Sequence, residues 1–311
     1  MQQSSYSPER SETFSMFSHW PRFWWANLLC ALATAVTTTV FGAALVACFR
    51  TGRPLELDSI WLSYVHFAHG DSSTWTGLQF SAPLLLILTA HEFGHYIECR
   101  RWDVDATLPY FLPSPTLFGT LGAFIRIKSP IYSRRGLFDI GIAGPLAGFV
   151  MLVPFLVAGI WMSHSVKGPA PLSPFLFGTP LAVRLVEFFR FPATNPSHIL
   201  LHPTAMAAWA GLLATAINLL PVGQLDGGHI VYAVFGQRPH RIVSTALVAI
   251  LAILGFWYWT WWVWSILFFF LGRRHPLVYD TAPLSRARWI SLALVCVVFL
   301  LSFSVIPVRT S

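Results

Sequence analysis

Long uncharged runs alternate with short polar stretches along most of this chain. Phe23–Phe49 contains no charged residue. A helix of about 20 apolar residues matches a hydrocarbon core of about 30 Å, so this run predicts a first membrane-spanning helix. Further runs at 76–98, 137–162, 203–222 and 289–306 predict four more. The second is unlike the rest, because its last third carries His91, Glu92, His95 and Glu98. Ile242–Leu271 is too long for one upright span, at about 45 Å of helix. Its centre, Trp257-Tyr258-Trp259-Thr260-Trp261-Trp262, has the composition of an interfacial aromatic belt. It predicts either one tilted helix or two short ones that turn at the belt. Dividing it gathers more Lys and Arg on one side of the membrane, as the positive-inside rule prefers. The fold class is therefore an all-α polytopic membrane protein of six or seven transmembrane helices. The N-terminus and the loops after the second and fourth spans then face the cytoplasm.

Two connecting stretches have their own character. Between the second and third spans, 103–135 is punctuated by Pro109, Pro113, Pro115 and Pro130. Its segment Gly119–Lys128 is rich in glycine and β-branched residues and ends in strand-like alternation. This predicts a β-hairpin at the membrane surface. The 163–202 loop is Pro-rich, has an amphipathic piece near Leu181–Phe189, and is too short for an inserted domain.

Composition agrees with residence in lipid. The 311 residues are 55% hydrophobic and 11% charged, where soluble domains carry about 25% charge. An ordinary soluble enzyme and a disordered regulator are excluded. The net charge of +7 is scattered between apolar runs, which fits a lipid bilayer partner and no nucleic acid. The run from Phe23 is too long for a signal-peptide core and is expected to stay as an uncleaved span. Cys30, Cys48 and Cys296 lie inside apolar runs and Cys99 just after one, with no CxxC spacing. No disulfide framework or thiolate metal site follows.

The chemistry sits in His91-Glu92-Phe93-Gly94-His95, an HExxH. On a helix, histidines four apart share one face and can both present nitrogens to one zinc ion. Glu92 is placed to take a proton from water activated there. Ionisable groups in a lipid-embedded segment are costly and mark function by default. A catalytic zinc takes three protein ligands and keeps one position open. The third must come from the same membrane depth, where the fourth span ends Asn218-Leu219-Leu220-Pro221-Val222-Gly223-Gln224-Leu225-Asp226-Gly227-Gly228-His229. Asp226 is the acid available there, and His229 stays open as a supporting or alternative ligand. Asn218 can donate an amide hydrogen bond to an oxyanion. On the third span, Gly141, Gly144 and Gly148 allow close helix packing, and Asp139 is expected to act as a helix cap. His66, His69, His164, His198, His202, His240 and His275 carry no assigned chemistry.

HEFGH at the end of one span, GIAGPLAG on the next and NLLPVGQLDGG at the end of a third resemble the site-2 protease family of intramembrane zinc metalloproteases. PYFLPSP and GTLGAFIRI resemble its bacterial and plastid branch without an inserted PDZ domain. The resemblance covers about 76–235. It implies one zinc ion per chain held by His91, His95 and Asp226, with Glu92 activating water. It implies that Asn218 helps to hold the tetrahedral intermediate. It also implies that the hairpin, through Gly119, Gly122, Ala123, Phe124 and Ile125, pairs with an unwound strand of a transmembrane protein substrate. The chain is then organised as a cytoplasmic tail (1–22), a first span with an external loop (23–75), a catalytic membrane core (76–235) and C-terminal spans (236–311). A bacterial cytoplasmic membrane is the expected location, with the site toward the cytoplasm. A transporter using the same histidines would spread ionisable groups over several depths; here they cluster at one.

Overall fold

The computed structural model describes residues 24–166, 175–257, 259–271, 278–280, 282–304 and 308–310. The tail expected at 1–22 lies outside the described residues. Helices dominate: α1 (Trp24–Thr51), α2 (Leu57–Ala68), α3 (Leu78–Arg101), α4 (Arg134–Met162), α5 (Leu181–Arg190), α6 (Pro203–Asn218), α7 (Asp226–Phe235), α8 (Gln237–Leu254), α9 (Thr260–Leu271) and α10 (Arg286–Ser302). By length and composition α1 and α4 each suffice to cross a membrane. A 3-10 turn at Ser72–Gly77 leads into α3, and strands β1 (Tyr110–Pro113) and β2 (Thr120–Phe124) pair antiparallel. Two further strand pairs join 164–165 to 199–200 and 175–177 to 308–310.

The core lies where α3, α4 and α6 meet. Phe80, Leu84 and Ile87 of α3, Leu152 and Ile160 of α4, and Ala207, Ala208 and Leu212 of α6 are buried together. Small residues along α6 let the backbones approach, as packing between lipid-embedded helices requires. The outer faces are no less apolar: Leu28, Leu29 and Leu32 on α1, and Val150, Val153 and Trp161 on α4, are exposed. A helix apolar on its exposed face as well as its buried one is suited to lipid rather than to water.

Three features go beyond what the hydropathy pattern resolves. The 50–75 stretch contains a helix, α2, which turns Ile60 and Ser63 to the core and leaves Leu57 and Trp61 exposed. Of the two readings left open for the Ile242–Leu271 run, two helices form, α8 ending at Leu254 and α9 beginning at Thr260; Trp262 Nε1 donates to the Ala252 carbonyl (2.8 Å) and Ser265 Oγ to that of Val248 (2.9 Å). These contacts make α8 and α9 an antiparallel pair. The fourth apolar run stops being helical at Asn218 and restarts at Asp226 as α7.

The hairpin forms, but β2 is Thr120–Phe124, earlier than the alternation at 123–128 suggests. Asn27 Nδ2 donates to the carbonyls of Leu108 (2.9 Å) and Pro109 (3.0 Å), and Thr37 Oγ1 to that of Gly119 (2.6 Å). Asn27 and Thr37 stand about 15 Å apart along α1, so the hairpin runs down that helix. Its tip fits because Gly119 has φ +74° and a side chain there would meet the backbone of Thr37 and Thr38. Asp139 is not a cap. Ser133 caps α4, accepting from the Gly136 amide, while Asp139 sits one turn inside and pairs with Arg288 of α10 (2.6 and 2.9 Å).

Candidate metal centre

The HExxH lies on α3 as its periodicity demands. His91, Glu92 and His95 are buried, at 6%, 5% and 7% exposure. The two Nε2 atoms stand 3.2 Å apart. Asp226, the first residue of α7, closes the triangle: Oδ2 is 3.2 Å from His91 Nε2 and Oδ1 is 3.2 Å from His95 Nε2. Bonds of about 2.0–2.1 Å in a tetrahedron place ligand atoms about 3.3 Å apart, so these three separations, one to each carboxylate oxygen and one between the imidazoles, have the size zinc requires. Asp226 Oδ2 is buried without a hydrogen-bond partner despite lying so close to an imidazole. A carboxylate oxygen left in that position is explained by a cation. Among the described residues, these three form the one group of His, Cys, Asp or Glu side chains able to hold a metal.

The neighbours set the chemistry of each ligand. His95 Nδ1 lies 2.7 Å from the Ile140 carbonyl of α4. Donation there fixes the tautomer and frees Nε2 as a ligand. Asn218, the last residue of α6, places Nδ2 at 3.2 Å from His91 Nε2, so its amide faces the centre. His229 stands one turn beyond Asp226 with its Cβ against Gly141, and it is not in the converging group. The α4 glycines do more than pack helices: a Cβ on Gly144 would occupy the ring of His95, and one on Gly148 would come within 3.1 Å of His91.

Three residues without assigned chemistry in the sequence hold the Asp226 arm in place. His240 of α8, 1% exposed, has Nε2 at 2.9 Å from the Gly223 carbonyl. Ser244 Oγ donates to the Pro221 carbonyl (3.2 Å) and accepts from the Gly223 amide (3.3 Å). Between them they pair the Pro221 and Gly223 carbonyls and the Gly223 amide of the turn. Arg134, at the start of α4, donates to the carbonyls of Ala233 and Val234 at the far end of α7. Buried polar residues one turn apart on a helix were the available signal, as such groups are retained only with partners. On the hairpin, Gly122 has open space around it while Phe124 is half exposed, and the second edge of β2 carries no strand among the described residues.

A helix offering two imidazoles and an intervening glutamate, closed by a carboxylate from a second helix, defines a metalloprotease-type centre built inside a helical bundle. The profile of peptidase family M50 matches residues 79–260, and the chain belongs to that family of zinc metalloproteases. It is 34% identical over 167 residues to a probable zinc metalloprotease EGY1, chloroplastic, of Oryza sativa subsp. japonica, and 34% over 166 residues to that of Arabidopsis thaliana. To the Arabidopsis thaliana EGY2, likewise a probable chloroplastic zinc metalloprotease, it is 30% identical over 203 residues. These alignments take in 52%, 52% and 63% of this chain but 29%, 30% and 36% of the relatives. Their chloroplastic names overturn the expectation of a bacterial cytoplasmic membrane. Charge asymmetry orders the two sides of a bilayer, but it does not distinguish one such membrane from another.

Proposed function

We propose that this chain is an intramembrane endopeptidase that cuts a transmembrane segment of a membrane-protein substrate, in a plastid-type membrane such as its relatives' names indicate. One observation carries the proposal: three ligand-forming side chains converge at 3.2 Å edges inside helices whose outer faces are apolar. His91 and His95 through Nε2, and Asp226 through its carboxylate, would hold the zinc ion. When bound, the ion polarises the scissile carbonyl and makes water acidic enough to attack near neutral pH. Glu92, buried beside both histidines, accepts the proton of the attacking water and passes it to the leaving amine. The Asn218 amide donates to the oxyanion that develops on the carbonyl. Ile140 holds the His95 ring throughout by accepting from Nδ1.

A helical substrate hides its carbonyls in its own hydrogen bonds, so it must be extended to reach the centre. The hairpin residues Gly119, Gly122, Ala123, Phe124 and Ile125 would pair with that extended strand along β2, supplying the bonds it gives up. The antiparallel contacts between α8 and α9 favour the seven-span count, with the end of α8 at Leu254 on the face opposite the centre.

The test is cleavage of a single-span model substrate in proteoliposomes by wild type and by Glu92→Gln. Wild type should cut within the span, while Glu92→Gln should retain zinc and lose at least about 10²-fold in rate. Cleavage confined to water-exposed segments, or an unimpaired Glu92→Gln, would overturn the proposal.

A further inference from the structure

On the face opposite the metal centre, the end of α1, the helix α2 and the Ser72–Gly77 turn enclose a cavity of about 90 Å³. It lies about 20 Å along α3 from His91. Its polar lining is Arg50, Ser63, His66, Ser73, Thr74 and Thr76, with no carboxylate among them. Two of these four hydroxyls are already committed. Ser63 donates to the Ser59 carbonyl (3.0 Å) and Thr76 to that of Ser73 (2.7 Å). Asp71 is the nearest acid; it accepts from the Ser73 amide (2.8 Å) and lies 4.0 Å from His66 Nδ1. Thr74 is the exception: it is 4% exposed, and its hydroxyl has no partner. Arg50 makes no ion pair among the described residues.

The space takes several waters, and what it offers is a guanidinium, a buried unpaired hydroxyl and an imidazole. That set matches a tetrahedral oxyanion, which a guanidinium can bind through two parallel hydrogen bonds. The surroundings indicate how the anion arrives. On α2, which lines the cavity through Ser63 and His66, Leu57, Trp61 and Leu62 are exposed, as on a helix lying in the headgroup layer. We propose that this cavity binds a phosphate group, presented by an anionic phospholipid whose acyl chains run past Trp61 and Leu62. Free phosphate shares the chemistry, and the experiment separates the two sources.

The delipidated full chain in detergent is titrated with dioctanoyl phosphatidylglycerol, dioctanoylglycerol or inorganic phosphate, following the thermal unfolding midpoint. Phosphatidylglycerol should raise the midpoint saturably and dioctanoylglycerol, which lacks phosphate, should not. A rise with inorganic phosphate equal to that with the lipid would assign the site to the free ion. Thr74→Val changes no charge, so general attraction to anionic lipid is untouched. It should weaken the phosphatidylglycerol response by about tenfold, with Arg50→Gln at least as severe. Without lipid, Thr74→Val should be no less stable than wild type, since an unpaired buried hydroxyl is gone. If both variants respond as wild type, or dioctanoylglycerol works as well as the phospholipid, the cavity holds only water and the proposal fails. None of these readouts involves zinc or cleavage, so the outcome is independent of the proposed protease activity.

Discussion

The two arms of the metal centre are made in different ways. The α3 arm is self-sufficient in geometry: one helical period separates His91 from His95, and any regular helix puts both imidazoles on one face. The Asp226 arm has no such internal ruler. It begins α7 after a seven-residue break, and its position is set by groups outside its own segment, namely His240 and Ser244 on α8 and Arg134 on α4. A local motif tolerates damage to its surroundings, whereas an assembled one depends on them. The centre should therefore fail in two distinct ways.

The largest effect is loss of a ligand. His91→Ala, His95→Ala and Asp226→Ala should each empty the site and abolish cleavage, since two ligands hold zinc poorly. Metal analysis of the purified variants checks this. Full zinc in Asp226→Ala would transfer the third ligand to His229 and erase the contrast between the arms.

Next in size is the place where the α3 arm does depend on a neighbour. Gly144→Ala puts a methyl group where the His95 ring lies. Crowding of this kind costs about 1–3 kcal/mol, and zinc affinity should fall by about 10–100-fold through the displaced ligand. Competition with a chelator measures it. Unchanged affinity would mean that α3 and α4 separate easily.

His240→Ala tests the assembled arm directly. It leaves the Gly223 carbonyl unpaired in a buried turn, and Asp226 should lose its fixed position while the α3 histidines keep theirs. Zinc affinity is expected to fall by about tenfold, with partial recovery in His240→Gln, whose amide can donate to the same carbonyl. Equal affinity in wild type and His240→Ala would show that α7 positions Asp226 without help.

The smallest effect lies away from both arms and serves as their control. Burial in α5 pushes the Glu187 carboxyl up to about 7, with Arg184 at 3.5 Å offsetting only part of it. Because the folded-state value is raised, the stabilising contribution is full below the ordinary Glu range and is lost as pH rises through about 7. The unfolding midpoint should decline across that window, and Glu187→Gln should flatten the decline. Zinc content should not follow it. A parallel loss of zinc would link this face to the centre.

Much of the centre was legible because its grammar is local. HExxH states both its spacing and its general base, and the uncharged runs state where helices can cross lipid. The NxxPxxxxDG stretch names Asn218 and Asp226 as candidates, yet nothing within it fixes where they point. Gly144 illustrates the limit: as a letter in a small-residue stripe it indicates packing, and only the fold shows that the space it leaves is filled by a ligand ring. His240 reads as a histidine at a span edge until the turn it supports is seen beside it. The placement of the hairpin along α1, and the helix α2, were obscured for a related reason. Both are set by contacts with α1, and a one-dimensional hydropathy pattern carries no such direction.

By itself, then, the sequence determined a helical protein with apolar runs long enough to cross lipid and a zinc-type pair of histidines with a glutamate between them, since helix period and apolar length are properties of contiguous residues. The tertiary structure decided that Asp226 closes the site at 3.2 Å from both imidazoles. It also decided that the hairpin descends along α1 and that α8 braces the turn. Each of these depends on backbone donors and acceptors meeting across more than a dozen residues of chain. Such partners are chosen by the demand that every polar group buried away from water be satisfied, a condition that the whole fold meets and no segment can meet alone.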